Sequence, residues 1–109
     1  MKKLGTATFQ GQSGRKYDFD MYPMGQQFTC SSAVYAVTRR FPAEGEDWHQ
    51  IIYIGETGDV STRFEDHHKR DCFVQWYANC ICIHLDDDAE SRLKKEDDLV
   101  REQSPLCQG

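Results

Sequence analysis

Apolar side chains recur at every second position along the first part of the chain. In TATFQG (6–11) and RKYDFDMY (15–22), Tyr17, Phe19 and Met21 share one face of an extended backbone, and QSG between the two runs has turn chemistry, so the pattern predicts a β-hairpin. MGQQFTCSS (24–32) has no period and reads as a connector. AVYAVTRR (33–40) is a small, β-branched and aromatic run and predicts a strand. FPAEGEDW (41–48) has loop composition, and HQIIYIG (49–55) predicts the second strand of an antiparallel pair. Alternation puts Tyr35 with Ala33 and Val37, and Tyr53 with Ile51 and Gly55, so the two tyrosines can share a face.

Past Gly55 the period changes. ETGD (56–59) reads as a turn into a helix with Asp59 as N-cap, running to about Lys69, and its row at helical spacing is Val60, Arg63, Phe64 and His67. Arg63 and His67 are neighbours on that row. NCICIHL (79–85) predicts another strand, with Ile81, Ile83 and Leu85 on one face and Cys80, Cys82 and His84 on the other. Asp86 to Asp88 suit a helix start, where the macrodipole favours negative charge. The last helix is expected from about Asp88 to Gln103, stopping at Pro105. Its apolar row is Ala89, Leu93, Leu99 and Val100, and the carboxylate of Glu96 falls among them.

Composition narrows the classes. The 109 residues, 39% hydrophobic and 28% charged, suit one ordinary globular domain with one modest core. No apolar run approaches the roughly 20 residues that span a bilayer, so no membrane partner is expected. The opening MKKLGTATFQG lacks the apolar stretch of a secretory signal, which leads to the expectation of a cytoplasmic location. The five cysteines lack the even, regular spacing of a disulfide framework and are read as mostly free thiols, in keeping with a reducing compartment. The net charge of −5 argues against a large nucleic-acid footprint, because phosphate is normally met by lysine and arginine. Acidity is concentrated in residues 86–109, which hold eight acidic and four basic side chains.

Taken together, AVY on one strand, YIG on the next, an arginine ten residues beyond Tyr53, a histidine four later and a glutamate on the final helix resemble the GIY-YIG endonuclease family. The resemblance runs from about Ser32 to Gln108. It implies an α+β fold, a small antiparallel β-sheet flanked by helices, over residues 31–109, with residues 1–30 as an added N-terminal β-hairpin. Ala33-Val34-Tyr35 stands where the family has GIY, and Tyr53-Ile54-Gly55 is the YIG. The resemblance further implies that Arg63 is the family's helix arginine, His67 the histidine of several members, and Glu96 the carboxylate that holds a metal. Gln108 takes the place of a terminal asparagine. Two further departures are Ala33 for the first glycine and Glu56 directly after YIG.

Such a set is coherent for metal-dependent hydrolysis of a DNA phosphodiester. In-line attack needs a deprotonated water, a cation on the phosphate and stabilisation of the leaving oxygen. One carboxylate, Glu96, can hold Mg²⁺ (or Mn²⁺), with water and phosphate completing the shell. Arg63 offers a planar fork of donors to phosphate oxygens. Tyr35 or Tyr53 would orient or deprotonate the water, and His67 would assist proton transfer or bind phosphate. Arg39, Arg40, Lys69 and Arg70 are candidate phosphate contacts, as is the pair Arg15-Lys16. Sequence specificity would come from the hairpin, a homodimer or a protein partner. Two alternatives stay open: a catalytically silent module of the same fold binding nucleic acid or a partner protein, and a zinc-stabilised domain using the Cys80, Cys82 and His84 face.

Overall fold

The structure, a computed structural model, describes residues 3–43, 45, 47–64 and 67–108. Among the described residues five strands are present: β1 (Gly5–Gln10), β2 (Lys16–Pro23), β3 (Ala33–Pro42), β4 (Asp47–Thr57) and β5 (Cys80–Leu85). Two helices accompany them, α1 (Arg70–Gln75) and α2 (Ala89–Gln103). All the strands form one antiparallel sheet in the order β1-β2-β5-β3-β4. The fold is therefore α+β. The N-terminal hairpin is built into this sheet, because Asp20–Pro23 of β2 pair with Cys80–Ile83 of β5.

Period-two alternation sorts the core into two layers. One face carries Phe9, Phe19, Val34, Ala36, Cys80 and Cys82 and is covered by Leu99 of α2. The other carries Tyr35, Val37, Ile81 and Ile83 and is covered by Val60 and Phe73. Burial on both faces gives the interior strands β3 and β5 their continuous apolar runs.

One bulge changes the expected parity. Val37 pairs with Tyr53 and Thr38 with Ile51, which leaves Ile52 as the extra residue on β4. Ile51 consequently packs with the first layer while Ile52 and Tyr53 both enter the second, so Tyr53 does not share a face with Ile51 as alternation alone predicts. The loop expected at 41–48 is also shorter, since β3 runs on to Pro42 and β4 begins at Asp47.

The helix expected from Asp59 to Lys69 is not formed. Asp59 Oδ1 does accept the Ser61 N–H at 2.9 Å and the Ser61 hydroxyl at 2.6 Å, but only turns follow through Phe64. Val60, Ser61 and Thr62 are weak helix formers, and one capped turn does not propagate across them. Glu65 and Asp66, within the expected helix, lie outside the described residues. Helical structure starts instead at Arg70.

Helix α2 begins and ends as its signals indicate: the Asp88 side chain accepts the Glu90 N–H, and Ser104 closes the helix in the left-handed region at φ 45°. Its inward face differs from the expected row. Leu93 is 55% exposed and Ala89 is exposed, whereas Arg92, Glu96, Leu99 and Gln103 form the stripe toward the sheet, with Arg92 and Leu99 buried. Arg92 is accommodated there by Glu56, whose Oε1 lies 3.0 Å from Arg92 Nε.

Cysteine pairing corrects the expectation of free thiols at two positions. Cys72 and Cys107 form a disulfide, while Cys30, Cys80 and Cys82 are free. The disulfide lies within the second layer, and the cysteine argument for a reducing compartment loses its support. No helix among the described residues is long and apolar enough to cross a membrane.

Candidate active site

Gly55 creates the space on which the site depends. A Cβ at this position would stand 2.5 Å from Tyr35 Oη and 2.9 Å from Tyr53 Cε2, so only glycine lets the phenol of β3 lie across β4. Both tyrosines, from adjacent strands, thus meet over one residue, with ring centroids 6.1 Å apart.

Arg63 and His67 both reach that phenol. Arg63 Nε donates to Tyr35 Oη at 2.9 Å, and His67 Nε2 lies 2.7 Å from the same oxygen. His67 Nδ1 accepts the Lys69 backbone N–H at 3.0 Å, which fixes the imidazole proton on Nε2, facing Tyr35. The phenol oxygen therefore receives two N–H donors. His67 is also packed against the Tyr53 ring, at 5.0 Å between centroids, and against Phe73.

Burial sets the protonation states. Tyr35 has no exposed surface and His67 is 4% exposed. Loss of solvent pushes the Tyr35 phenol well above its usual range against the pull of Arg63, so it is neutral. The same desolvation, with Arg63, His68 and Lys69 nearby, lowers His67 to about 4. Tyr53 is likewise raised by burial, with Arg63 pulling the other way. Among the described residues Arg63 is the cation in contact with Tyr35.

Glu96 faces this group from α2. Its carboxyl is raised above the ordinary carboxylate range first by burial, then by Glu56 and Asp97, while the Glu56 backbone and Arg63 act against the shift. In turn Glu96 helps to raise both Tyr35 and Tyr53, which places its charge within reach of both phenols. Two carboxylates, Glu96 and Glu56, thus repel each other beside an arginine. Glu56 is itself ion-paired with Arg92.

Gln108 supports the site from behind. Its Oε1 accepts the Ile54 N–H at 3.0 Å and its Nε2 donates to the Ile54 carbonyl at 2.8 Å. The amide acts as a short piece of strand against the outer edge of β4, next to the Cys107 N–H bond to the Ile52 carbonyl. YIG is in this way held between β3 and the disulfide-anchored C-terminal segment.

The basic candidates separate. Arg70 opens α1 and shares a cleft of about 450 Å³ with His67, Phe64 and Phe73. Lys69 belongs to the same turn through its backbone bond to His67. Arg39 and Arg40 lie toward the β3–β4 turn: Arg39 sits 4.6 Å over the Phe41 ring and 5.4 Å over Tyr77, and Arg40 is ion-paired with Asp47 at 2.8 Å. Arg15 and Lys16, at the turn of the N-terminal hairpin, are exposed.

His84 does not join Cys80 and Cys82 in a ligand set. Although it shares their strand face, Nδ1 meets the Asp18 carbonyl at 2.8 Å and Nε2 meets Lys95 Nζ at 2.9 Å. Sequence reasoning missed His49, Thr38 and Arg92, whose partners lie on other strands or helices and leave no local signal.

Compared with known proteins, the chain matches no family model, no curated protein and no solved structure.

Proposed function

We propose that the chain is a metal-dependent endonuclease of the GIY-YIG type, hydrolysing phosphodiester bonds in DNA. The observation that carries this reading is the convergence of Arg63 and His67 on the Tyr35 oxygen, above Gly55 of YIG and beside Glu96. These side chains come from three separate parts of the sequence, and no packing requirement brings a cation, a neutral imidazole and a carboxylate to two phenols.

Arg63 and Glu96 keep part of their surface in solvent, whereas Tyr35 and His67 are closed off. Substrate would meet the site from the Arg63–Glu96 side. Arg63, held through Nε by Tyr35, binds the scissile phosphate and balances charge on it as the bond breaks. Tyr35 and His67 are positioning residues: both are neutral, the phenol oxygen accepts from Arg63 Nε and meets His67 Nε2, and His67 Nδ1 accepts from the Lys69 N–H. Tyr53, in contact with His67 and under the influence of Arg63, is the phenol placed to orient the attacking water. Mg²⁺ or Mn²⁺ bound by Glu96 would supply a Lewis acid and a lowered pKa for water.

One observation favours a second reading, a silent module of this fold that binds nucleic acid or a protein. Tyr35 has no exposed surface, so the phenol itself reaches no substrate in this arrangement. The two readings separate on supercoiled plasmid incubated with Mg²⁺ or Mn²⁺ and with EDTA, alongside Glu96→Ala and Arg63→Ala. Metal-dependent nicking by the wild type that both variants lose supports the nuclease. No cleavage of plasmid, single-stranded or branched DNA selects the binding module.

A further inference from the structure

On the sheet face that α2 covers, His49, Cys80 and Cys82 bring one ligand atom each to within 4.8 Å of one another. Among the described residues this is the group of three such side chains that can hold a metal. The two Sγ atoms are 3.9 Å apart, against about 3.8 Å for two thiolates bound tetrahedrally to zinc at about 2.3 Å each. From these positions we propose that His49, Cys80 and Cys82 form a binding site for one thiophilic cation, zinc, separate from the Tyr35 site and from any Mg²⁺ at Glu96.

Two features of the surroundings suit a cation. His49 Nε2 is a buried nitrogen with no hydrogen-bond partner among the described residues, an arrangement that costs about 1–3 kcal/mol when nothing compensates it. The second ring nitrogen, Nδ1, is 2.9 Å from the Thr38 hydroxyl, the kind of outer contact that orients a metal-bound histidine.

Charge agrees with this. Two thiolates and a neutral imidazole balance Zn²⁺, with two thiol protons released to solvent on binding and no redox change. The neighbouring Arg40 is neutralised by Asp47 at 2.8 Å and so does not leave an unpaired cation against the site. His49 lines a surface hollow of about 870 Å³ together with Phe9 and Trp48, while the thiols themselves have no exposed surface. Soft sulfur donors select zinc over Mg²⁺, so the two sites do not compete for one ion.

The test uses the full chain with Cys30→Ser, which removes the exposed thiol, stripped of metal and handled under argon without reductant. Zinc is added, the sample is dialysed, and bound metal is counted by elemental analysis and native mass spectrometry; Co²⁺ is added in parallel for its absorption spectrum. The expected result is one zinc per chain and a thiolate-to-cobalt charge-transfer band. His49→Gln and Cys82→Ser are expected to weaken zinc at least tenfold and abolish the band, with His84→Gln unchanged. Zinc that dialyses away from the parent protein, or zinc and band that persist in His49→Gln, overturns the proposal. If Cys82→Ser fails to fold by circular dichroism, His49→Gln, altered at a side chain that lines the hollow, decides alone.

Discussion

The Tyr35 phenol crosses directly over Gly55, so that a methyl group added at the glycine would stand 2.5 Å from the phenol oxygen. Strand β3 on one side and the Gln108 amide, bonded to Ile54, on the other hold β4 in place. Gly55→Ala is therefore expected to destabilise the fold by about 1–3 kcal/mol, as overpacking of a filled core does. It should also displace the oxygen that holds Arg63. A urea midpoint equal to wild type would show that the phenol can move aside.

Tyr35→Phe keeps the ring and deletes the oxygen, leaving the Arg63 Nε and His67 Nε2 donors without their acceptor. A loss of about 1–3 kcal/mol is expected from the unpaired donors. If the nuclease reading holds, nicking falls by about 100-fold or more through misplacement of Arg63, with the effect mainly on kcat. Unchanged nicking would remove Tyr35 from the positioning role.

Acid should loosen the site through His67. Its folded pKa, about 4, is below the ordinary 6.5, so the unfolded chain binds the proton more tightly. Stability from this group is complete above about pH 6.5 and is lost as pH falls toward 4, by up to about 3 kcal/mol. Urea titrations across that window should steepen for wild type relative to His67→Gln, and parallel curves would refute the assignment.

Glu96 is expected to divide stability from activity. Its raised pKa reports a buried carboxylate repelled by Glu56 and Asp97, and Glu96→Gln removes that repulsion while keeping the shape. The variant should be at least as stable as wild type. If the nuclease reading holds, metal-dependent nicking should nonetheless fall by at least about 100-fold, since a bound metal would contribute several kcal/mol of charge stabilisation. A thermal melt and a plasmid assay on the same sample check both halves.

Reduction should weaken the protein because Cys72–Cys107 closes a separation of 35 residues. The chain-entropy cost restored to the unfolded state is about 2–4 kcal/mol. A mild reductant should lower the melting temperature of wild type and leave that of Cys107→Ser unaffected, and equal response in both would exclude the link.

The strands were legible in the sequence wherever alternation is regular: Tyr17, Phe19 and Met21 lie inward as expected, and Cys80 and Cys82 face away from Ile81 and Ile83. Ile52 was not, because a bulge is set by the partner strand and has no composition of its own here. The missing helix after Asp59 has a related cause. A cap marks where a helix can begin, while Val60, Ser61 and Thr62 decide whether it continues. In the site, YIG, Arg63 and His67 could be read because they are close in sequence. Arg92 with Glu56, His49 with Cys80 and Cys82, and Cys72 with Cys107 are joined only by the packing of distant strands and helices, which spacing does not encode.

Placing β2 between β1 and β5 has a consequence for the chain without its first thirty residues. Cys80 to Ile83 would lose their backbone partners in β2 and become an open edge, apolar on both sides. An unpaired row of that kind is a template on which a second molecule can add a strand. In the intact protein the outermost position belongs instead to β1, short and carrying exposed Thr6, Thr8 and Gln10. The hairpin thus acts as a guard against self-association, and shortened forms should precipitate before any question of cleavage can be asked of them.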